Sequence, residues 1–155
     1  MTDREEQYKQ LVRQLLALLE GEHAYVSVLA NTAAALHDTF GERFFWVGFY
    51  MVSEGELVLG PFQGPVACMH IARGKGVCGT CWEQEQTIVV PDVEQFRGHI
   101  ACSSESRSEI VVPIKNRGEV KGVIDIDSRS LNAFDAIDAR YLEQIADIVA
   151  RQLYD

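Results

Sequence analysis

The sequence predicts an α+β protein in which helices pack on one face of an antiparallel sheet. Three observations predict this class. Two helical patterns come first, a run of β-prone segments with one short helical interruption follows, and another helical pattern comes last. With 155 residues the chain is long enough for a real core and is expected to form one domain.

The first helical pattern covers residues 3–20 and is amphipathic, because its apolar residues recur at intervals of three and four. Gly21 follows it as a stop signal. A second, alanine-rich helix is predicted for residues 25–39 and ends before Gly41. The apolar stripe of the first helix consists of Tyr8, Leu11, Val12, Leu15, Leu16 and Leu19.

The middle of the chain changes to β-prone segments bounded by turn residues. Residues 53–56 turn an aromatic strand into the next strand, and Asn116-Arg117-Gly118-Glu119 is a second hairpin turn. A short helix is predicted for residues 77–85, and the last helix for residues 135–153. The predicted strands are residues 44–52, 57–59, 66–71, 87–90, 108–114 and 120–127.

The charge balance narrows the classes of partner. The 14 Lys and Arg residues against 23 Asp and Glu residues give a net charge of −9, which repels phosphate backbones and anionic membranes. We therefore expect no nucleic acid and no membrane partner. No apolar run reaches the roughly 20 residues that a membrane span needs, and the first residues lack a signal-peptide pattern. A cytoplasmic location is expected.

Four cysteines in a cytosolic chain do not predict a structural disulfide framework, because this compartment keeps thiols reduced. Buried inert thiols, metal ligands and redox-active thiols remain as interpretations. Cys102 is the most informative, since it follows Gly98-His99 and precedes a polar run, a context typical of an accessible loop. Cys68 and Cys78 could each trap an oxidised form of Cys102 as a disulfide.

Cys78 and Cys81 form a C-x-x-C pair, which also occurs in zinc sites and in thioredoxin-like dithiols. The other soft ligands are scattered along the chain, so no metal and no cofactor is expected, and Cys81 is interpreted as incidental. The segment 73–76 lacks the spacing of a phosphate loop and indicates only a flexible loop. His99 could lower the thiol pKa of Cys102, although a lone histidine is more often structural.

Two aromatic residues predict one wall of a small-molecule pocket. Trp46 and Tyr50 lie four apart on one predicted strand, so both side chains point to the same face. Core packing is the default for such aromatics. Gly48, which lies between them on that face, would leave a gap large enough for a small ligand.

Three acidic residues predict a second feature of that pocket. Asp125 and Asp127 share one face of a strand, and Glu109 begins the strand that pairs with it. A solvated strand face is the commoner interpretation. If the acids are buried, however, they need a cation or a cationic ligand. Clustered carboxylates also raise at least one carboxyl pKa, so that an acid can donate a proton near neutral pH.

Five segments together resemble the free methionine-(R)-sulfoxide reductases, which are enzymes with the GAF fold. The similarity runs through nearly the whole chain. The resemblance implies a single GAF domain over residues 1–155, with a central antiparallel sheet and the N- and C-terminal helices packed on one face. The segments that carry it are residues 46–50, 74–79, 98–102, 108–113 and 122–128.

The resemblance also implies catalytic roles. Cys102 would attack the sulfoxide sulfur and become a sulfenic acid, Cys68 would resolve it as a Cys68–Cys102 disulfide, and Cys78 would have an accessory role. Glu109, Asp125 and Asp127 would hold the substrate ammonium group and the sulfoxide oxygen, and backbone N–H groups near Ala101 and Cys102 would bind the substrate carboxylate. The substrate-binding residues implied are Trp46, Tyr50, Ile100, Ala101, Cys102, Glu109, Asp125 and Asp127.

The implied partners are free methionine sulfoxide as substrate and thioredoxin as reductant, and the sequence leaves a homodimer open. Two alternatives belong to other classes. One is a non-catalytic GAF domain that senses a small molecule or redox state. The other is a general thiol–disulfide oxidoreductase that uses Cys78 and Cys81.

Overall fold

The computed structural model describes residues 2–100, 102 and 105–155. It confirms the α+β class and the helices predicted in sequence. The helices are α1 (Asp3–Leu19), α2 (Tyr25–Phe40), α3 (Gly76–Gln84) and α4 (Ala136–Tyr154). The strands are β1 (Trp46–Ser53), β2 (Glu56–Gln63), β3 (His70–Ala72), β4 (Ile88–Val90), β5 (Ser108–Asn116) and β6 (Glu119–Ser128).

The six strands form one sheet in the order β3-β2-β1-β6-β5-β4, and all neighbouring strands are antiparallel. The hairpin between β5 and β6 turns at Arg117 and Gly118, where φ is 53° and 79°. Positive φ at both central residues is typical of the two-residue turn that matches strand twist. This confirms the hairpin predicted at that point.

Helices α1, α2 and α4 pack on one face of the sheet, as predicted. Successive side chains of a strand point to opposite faces, and β1, β5 and β6 place one alternating apolar set in this core. The strand residues of the set are Val47, Phe49, Met51, Ile110, Val112, Ile114, Ile124 and Ile126.

A buried carboxylate joins the parts of this helical layer. Asp138 accepts hydrogen bonds from Tyr8 Oη at 2.6 Å and from Arg43 Nη2 at 3.0 Å. It also completes a capping box with Asp135 at the start of α4, which is why that helix begins there. Arg4 lies 3.2 Å from the same carboxylate, so α1, α4 and the short 3-10 helix Gly41–Phe44 meet at one charge.

Three predicted strands differ from the structure in their bounds. Strand β2 continues to Gln63, four residues beyond the predicted end at residue 59. The aromatic strand begins at Trp46 rather than at residue 44, because Phe44 belongs to a 3-10 helix and packs in the helical core. Residues 66–69 of the predicted third strand are irregular, and β3 begins only at His70. The carbonyl of Cys68 accepts a hydrogen bond from the hydroxyl of Tyr50 at 2.8 Å, and this bond holds the irregular segment at the face of β1.

The opposite face of the sheet carries α3 and the long segments that connect β2 to β3 and β4 to β5. Its core is smaller and mixes apolar residues with polar ones. None of the helices in the described part of the chain is long and apolar enough to cross a membrane.

Candidate active site

A pocket opens on the face opposite α1, α2 and α4, between the centre of the sheet, the start of α3 and two irregular segments. Its empty volume, which includes the mouth that opens to solvent, is about 520 Å³. It is lined by Trp46, Tyr50, Val66, Ala67, Ile71, Lys75, Gly76, Val77, Cys78, His99, Ile100, Cys102, Ser106, Glu109, Asp125 and Asp127.

The three predicted acids come together on the floor of this pocket. Glu109 on β5 pairs directly with Asp127 on β6, and Asp125 lies two residues further along the same face. Glu109 and Asp125 are buried, whereas Asp127 is half-buried. The solvated strand face is therefore wrong for Glu109 and Asp125.

Burial and proximity control the ionisation of these acids. Burial, together with the charge of Asp127, raises the pKa of Glu109 well above its usual value. Burial also raises the pKa of Asp125, with a further contribution from Glu109. The pKa of Asp127 is raised by burial and then by Asp125. Protonated carboxyl groups are thus favoured in the empty pocket, which makes them proton donors.

One carboxyl oxygen of the acid cluster has no hydrogen-bond partner in the described part of the chain. Asp125 Oδ1 is buried and has no hydrogen-bond partner among the described residues. His99 Nε2 lies 3.6 Å from Glu109 Oε1, and burial lowers the pKa of His99, which favours the neutral ring. A buried oxygen without a partner is costly, so this floor is suited to a ligand that donates hydrogen bonds or carries positive charge.

The cysteines separate into two groups. A disulfide joins Cys68 and Cys102, whose Cα atoms are 5.5 Å apart, and it links the two irregular segments at the pocket. Cys78 and Cys81 are free and buried. Burial, with the nearby Asp125 charge, raises the pKa of the Cys78 thiol and also that of Cys81. This environment is opposite to that of a reactive dithiol, which needs stabilised thiolate.

Cys78 and Cys81 also differ from each other in position. Cys78 lines the pocket, whereas Cys81 does not and points its thiol to the carbonyl of Val111 at 3.7 Å. The structure thus brings Cys78 to the acids, whereas the Cys81 thiol contacts the backbone of β5.

Trp46 and Tyr50 form an aromatic wall, with stacked rings whose centroids are 6.0 Å apart. Their polar ends position the segment that carries Cys68, because Trp46 Nε1 donates to the carbonyl of Pro65 at 2.9 Å and Tyr50 Oη donates to that of Cys68. The predicted gap at Gly48 is wrong. A Cβ there would meet Phe62 of β2 and would lie 2.8 Å from the Trp46 ring, so that space is filled.

The remaining predicted residues lie at the mouth. Ile100 and Cys102 line the pocket, and Ala101 lies outside the described residues. The N–H of Cys102 donates to the carbonyl of Ile100 at 3.1 Å in this disulfide form. The amide predicted to bind a substrate carboxylate is therefore engaged before any ligand arrives.

Sequence reasoning missed several lining residues around the start of α3. The segment interpreted as a flexible loop contributes Lys75 and Gly76 to the pocket. Gly76 has φ of +59°, and a Cβ there would lie 3.0 Å from Ile100, so this turn fits closely under the Cys102 segment. Its pattern of glycines around a lysine was the available signal. Ser106 and Ile71 carried no comparable signal.

Comparisons with known proteins agree with this architecture. The family model for the GAF domain matches residues 3–153. "GAF domain-containing protein A" of Dictyostelium discoideum is 56% identical over 147 residues, which cover 94% of this chain and 92% of that protein. The free methionine-R-sulfoxide reductase of Saccharomyces cerevisiae is 42% identical over 154 residues, covering 95% of this chain and 86% of that protein. The chain belongs to the free methionine-R-sulfoxide reductase family of GAF-domain proteins.

A solved structure extends this assignment to the fold. The free methionine-R-sulfoxide reductase of Neisseria meningitidis, in complex with its substrate, superposes with a TM-score of 0.94 at 47% identity. The match covers 98% of this chain and 91% of that one. The GAF fold expected from the sequence is therefore confirmed.

The raised pKa values of the acid cluster predict that the free energy of unfolding depends on pH. A carboxyl whose pKa is raised by folding stabilises the native state below its unfolded pKa of about 4. That contribution is lost as the pH rises through the folded pKa. Because Asp125→Asn removes an ionisable group, we expect the variant to gain stability relative to wild type between about pH 5 and pH 8. Urea unfolding across this range measures the difference.

Asp135→Asn is the matched control, because the pKa of Asp135 is lowered in the folded protein, whereas that of Asp125 is raised. Burial raises the pKa of Asp135, but hydrogen bonds from Arg4 and from the backbone outweigh it, and the net pKa is lowered. This carboxylate stabilises the native state above its unfolded pKa, so its amide variant gains nothing relative to wild type toward pH 8. If the free energies of unfolding of wild type and Asp125→Asn changed with pH in the same way, the raised pKa of Asp125 would be contradicted.

Proposed function

We propose that this protein reduces free L-methionine-(R)-sulfoxide to methionine, with Cys102 as the nucleophile. The observation that carries the proposal is the Cys68–Cys102 disulfide beside a pocket whose floor holds Glu109, Asp125 and Asp127. This is the arrangement that the product of such a reaction leaves, in a chain that belongs to the reductase family.

Binding begins with the charged ends of a free amino acid. An ammonium group in the pocket supplies the positive charge that the buried acids lack, and it favours ionisation of the carboxyl beside it. One acid pairs with the ammonium while another keeps its proton. Trp46 and Tyr50 hold the apolar side chain, and backbone N–H groups of the segment around Cys102 bind the carboxylate once that segment rearranges.

The chemical step needs a thiolate and an acid. The Cys102 thiolate attacks the sulfoxide sulfur, while a protonated carboxyl of the floor donates its proton to the sulfoxide oxygen. The attack joins the Cys102 sulfur to the substrate sulfur. The protonated oxygen then passes from the substrate sulfur to the Cys102 sulfur, while the bond between the two sulfurs breaks and methionine leaves. Cys102 keeps the oxygen as a sulfenic acid, so the thiol is oxidised by two electrons and the sulfoxide is reduced by two.

The sulfenic acid is then resolved by a second thiol. Cys68 attacks the Cys102 sulfur, water leaves, and the Cys68–Cys102 disulfide forms. Both residues are only partly buried, so an external dithiol can reach the bond. Thioredoxin is the proposed reductant, which returns both thiols by exchange. This recycling requires a reducing compartment and supports a cytoplasmic location.

Substitution of the cysteines separates the two thiol roles. Cys102→Ser is expected to abolish even a single turnover, since burial raises the pKa of Cys78, the other thiol that lines the pocket, and disfavours its thiolate. Cys68→Ser is expected to keep one turnover per chain but to recycle slowly, because the sulfenic acid loses its partner. Single-turnover methionine release and NADPH consumption in a thioredoxin-coupled assay measure the two effects. Cys81→Ser is the control and leaves both unchanged. A full burst from Cys102→Ser would move the nucleophile to another cysteine.

Amide substitution tests the acids. Glu109→Gln and Asp125→Asn keep the side-chain shape but remove a proton donor or an ammonium partner. We expect kcat/KM to fall by about 10²–10⁴-fold, the range typical of general acid catalysis. Glu119→Gln, an exposed acid at the far end of β6, is the control and has no effect. Rates within a few-fold of wild type for both pocket variants would reduce this chain to a binding module.

Selectivity for one epimer and for the free amino acid tests the geometry. Carboxyl groups hold the ammonium, loop amides hold the carboxylate, and the Trp46 side holds the methyl group. With these three points fixed, only the R epimer directs its oxygen to the acids and its sulfur to Cys102. N-acetylation removes the charge that the acids meet and leaves buried polar groups unpaired.

The measurement is chromatography of both epimers and of the N-acetyl compound after incubation with the enzyme and dithiothreitol. We expect loss of the free R epimer alone. Comparable loss of the S epimer, or of the acetylated compound, would show that the three contacts do not act together.

A further inference from the structure

Three potential metal ligands converge on the pocket floor, and two of them are acids of the proposed reaction. The Cys78 sulfur and carboxylate oxygens of Glu109 and Asp125 all lie within 4.8 Å of one another. The three residues are only 4%, 6% and 6% exposed. They come from α3, β5 and β6, so three separate elements hold the cluster. The sequence offered no such site, because only the fold brings a thiol to these carboxyls.

A second observation shows that the cluster has an unused ligand atom. Asp125 lines the pocket, and its Oδ1 atom is buried and has no hydrogen-bond partner among residues 2–100, 102 and 105–155. A buried carboxylate oxygen is normally paired or coordinates a metal. The pocket mouth gives an ion a path from solvent to this atom.

We infer that Cys78, Glu109 and Asp125 form a binding site for a divalent cation of the zinc class. The donor set decides the class, because thiolate sulfur favours zinc over magnesium and calcium, which prefer oxygen ligands. Zinc bonds of about 2.3 Å to sulfur and about 2.1 Å to oxygen place tetrahedral ligand atoms about 3.5 Å apart, so atoms that lie within 4.8 Å of one another need to close in by at most about 1.3 Å. Side-chain rotation supplies such a movement. The fourth position faces the open pocket.

The charges of the site fit a dication. Ionising two neighbouring carboxyls and a thiol without a counter-charge is unfavourable in this buried position. A bound dication neutralises most of that charge and binds the ligands in their deprotonated forms. The cation occupies the acids that the substrate ammonium uses, so cation and substrate exclude each other. This consequence rests on the proposed function, whereas cation binding itself does not.

The disulfide form of the protein gives a clean binding experiment. Cys68 and Cys102 are bonded to each other in it, and Cys78 and Cys81 are the free thiols. Zinc chloride is titrated into this form by calorimetry, and cobalt chloride is titrated while the thiolate-to-cobalt absorption is recorded. All proteins carry His70→Ala, which removes the exposed His70–Glu56 pair as a surface site.

The protein that carries only His70→Ala is expected to bind one zinc ion per chain and to show a thiolate–cobalt absorption band. Cys78→Ser is expected to lose the band and to weaken zinc binding by at least about ten-fold, and Asp125→Asn to weaken it similarly. Cys81→Ser, a buried thiol on the same helix outside the cluster, keeps both signals. Circular dichroism confirms that each variant is folded. Equal zinc affinity in Cys78→Ser and wild type, or no binding at micromolar zinc, would overturn the inference.

An activity arm separates this inference from the proposed reaction. Zinc is expected to inhibit methionine formation in competition with methionine sulfoxide, with dilution into a chelator restoring the rate. A protein that binds zinc through Cys78 but never reduces the sulfoxide would contradict the proposed function alone. A protein that reduces the sulfoxide but binds no zinc would contradict the cation site alone.

Discussion

The alternation of side chains along β1, β5 and β6 is the constraint on which the rest of the molecule depends. One set, which includes Val47 and Phe49, is buried under three helices, so the other set must face the pocket side. A shift of register by one residue would place Asp125 among the apolar side chains of the helical core. Apolar burial on one face thus fixes the geometry of the acids on the other.

The same arrangement explains why the acids are chemically useful. A carboxyl on a solvated surface ionises near pH 4 and has no proton to give at neutral pH. Placed on a sheet and covered by α3 and the connecting segments, Glu109 and Asp125 lose water, and their pKa values rise together. The tertiary fold creates their acidity, because each shift depends on burial and on the neighbouring acid. The energy that this placement costs is offset by the helical core on the reverse face.

The sequence predicted what depends on local periodicity and failed where contacts between distant segments decide. The helices, the β5–β6 hairpin and the shared face of Asp125 and Asp127 follow from spacing alone. Residues 66–69 are as β-prone as a strand, but the hydroxyl of Tyr50 and the Cys68–Cys102 disulfide hold this segment at the pocket. The space at Gly48 is filled by Phe62, whose position depends on how β2 pairs with β1. The roles of the site residues came from the family resemblance, since the spacing of the acids alone favoured a solvated strand face.

The proposed reaction divides its chemical groups between the sheet and the loops. In that proposal the acids keep one position throughout a cycle, and strands with neighbours on both sides hold them. Cys102 would meet first a substrate sulfur and then Cys68, which requires movement, and both cysteines lie on irregular segments. Such segments rearrange at lower cost than paired strands. Tyr50 and Trp46 link the two parts, since their rings line the pocket while their polar ends hydrogen-bond the Cys68 segment. The proposed proton transfer thus lies on the paired strands, and the proposed thiol exchange lies on the irregular segments.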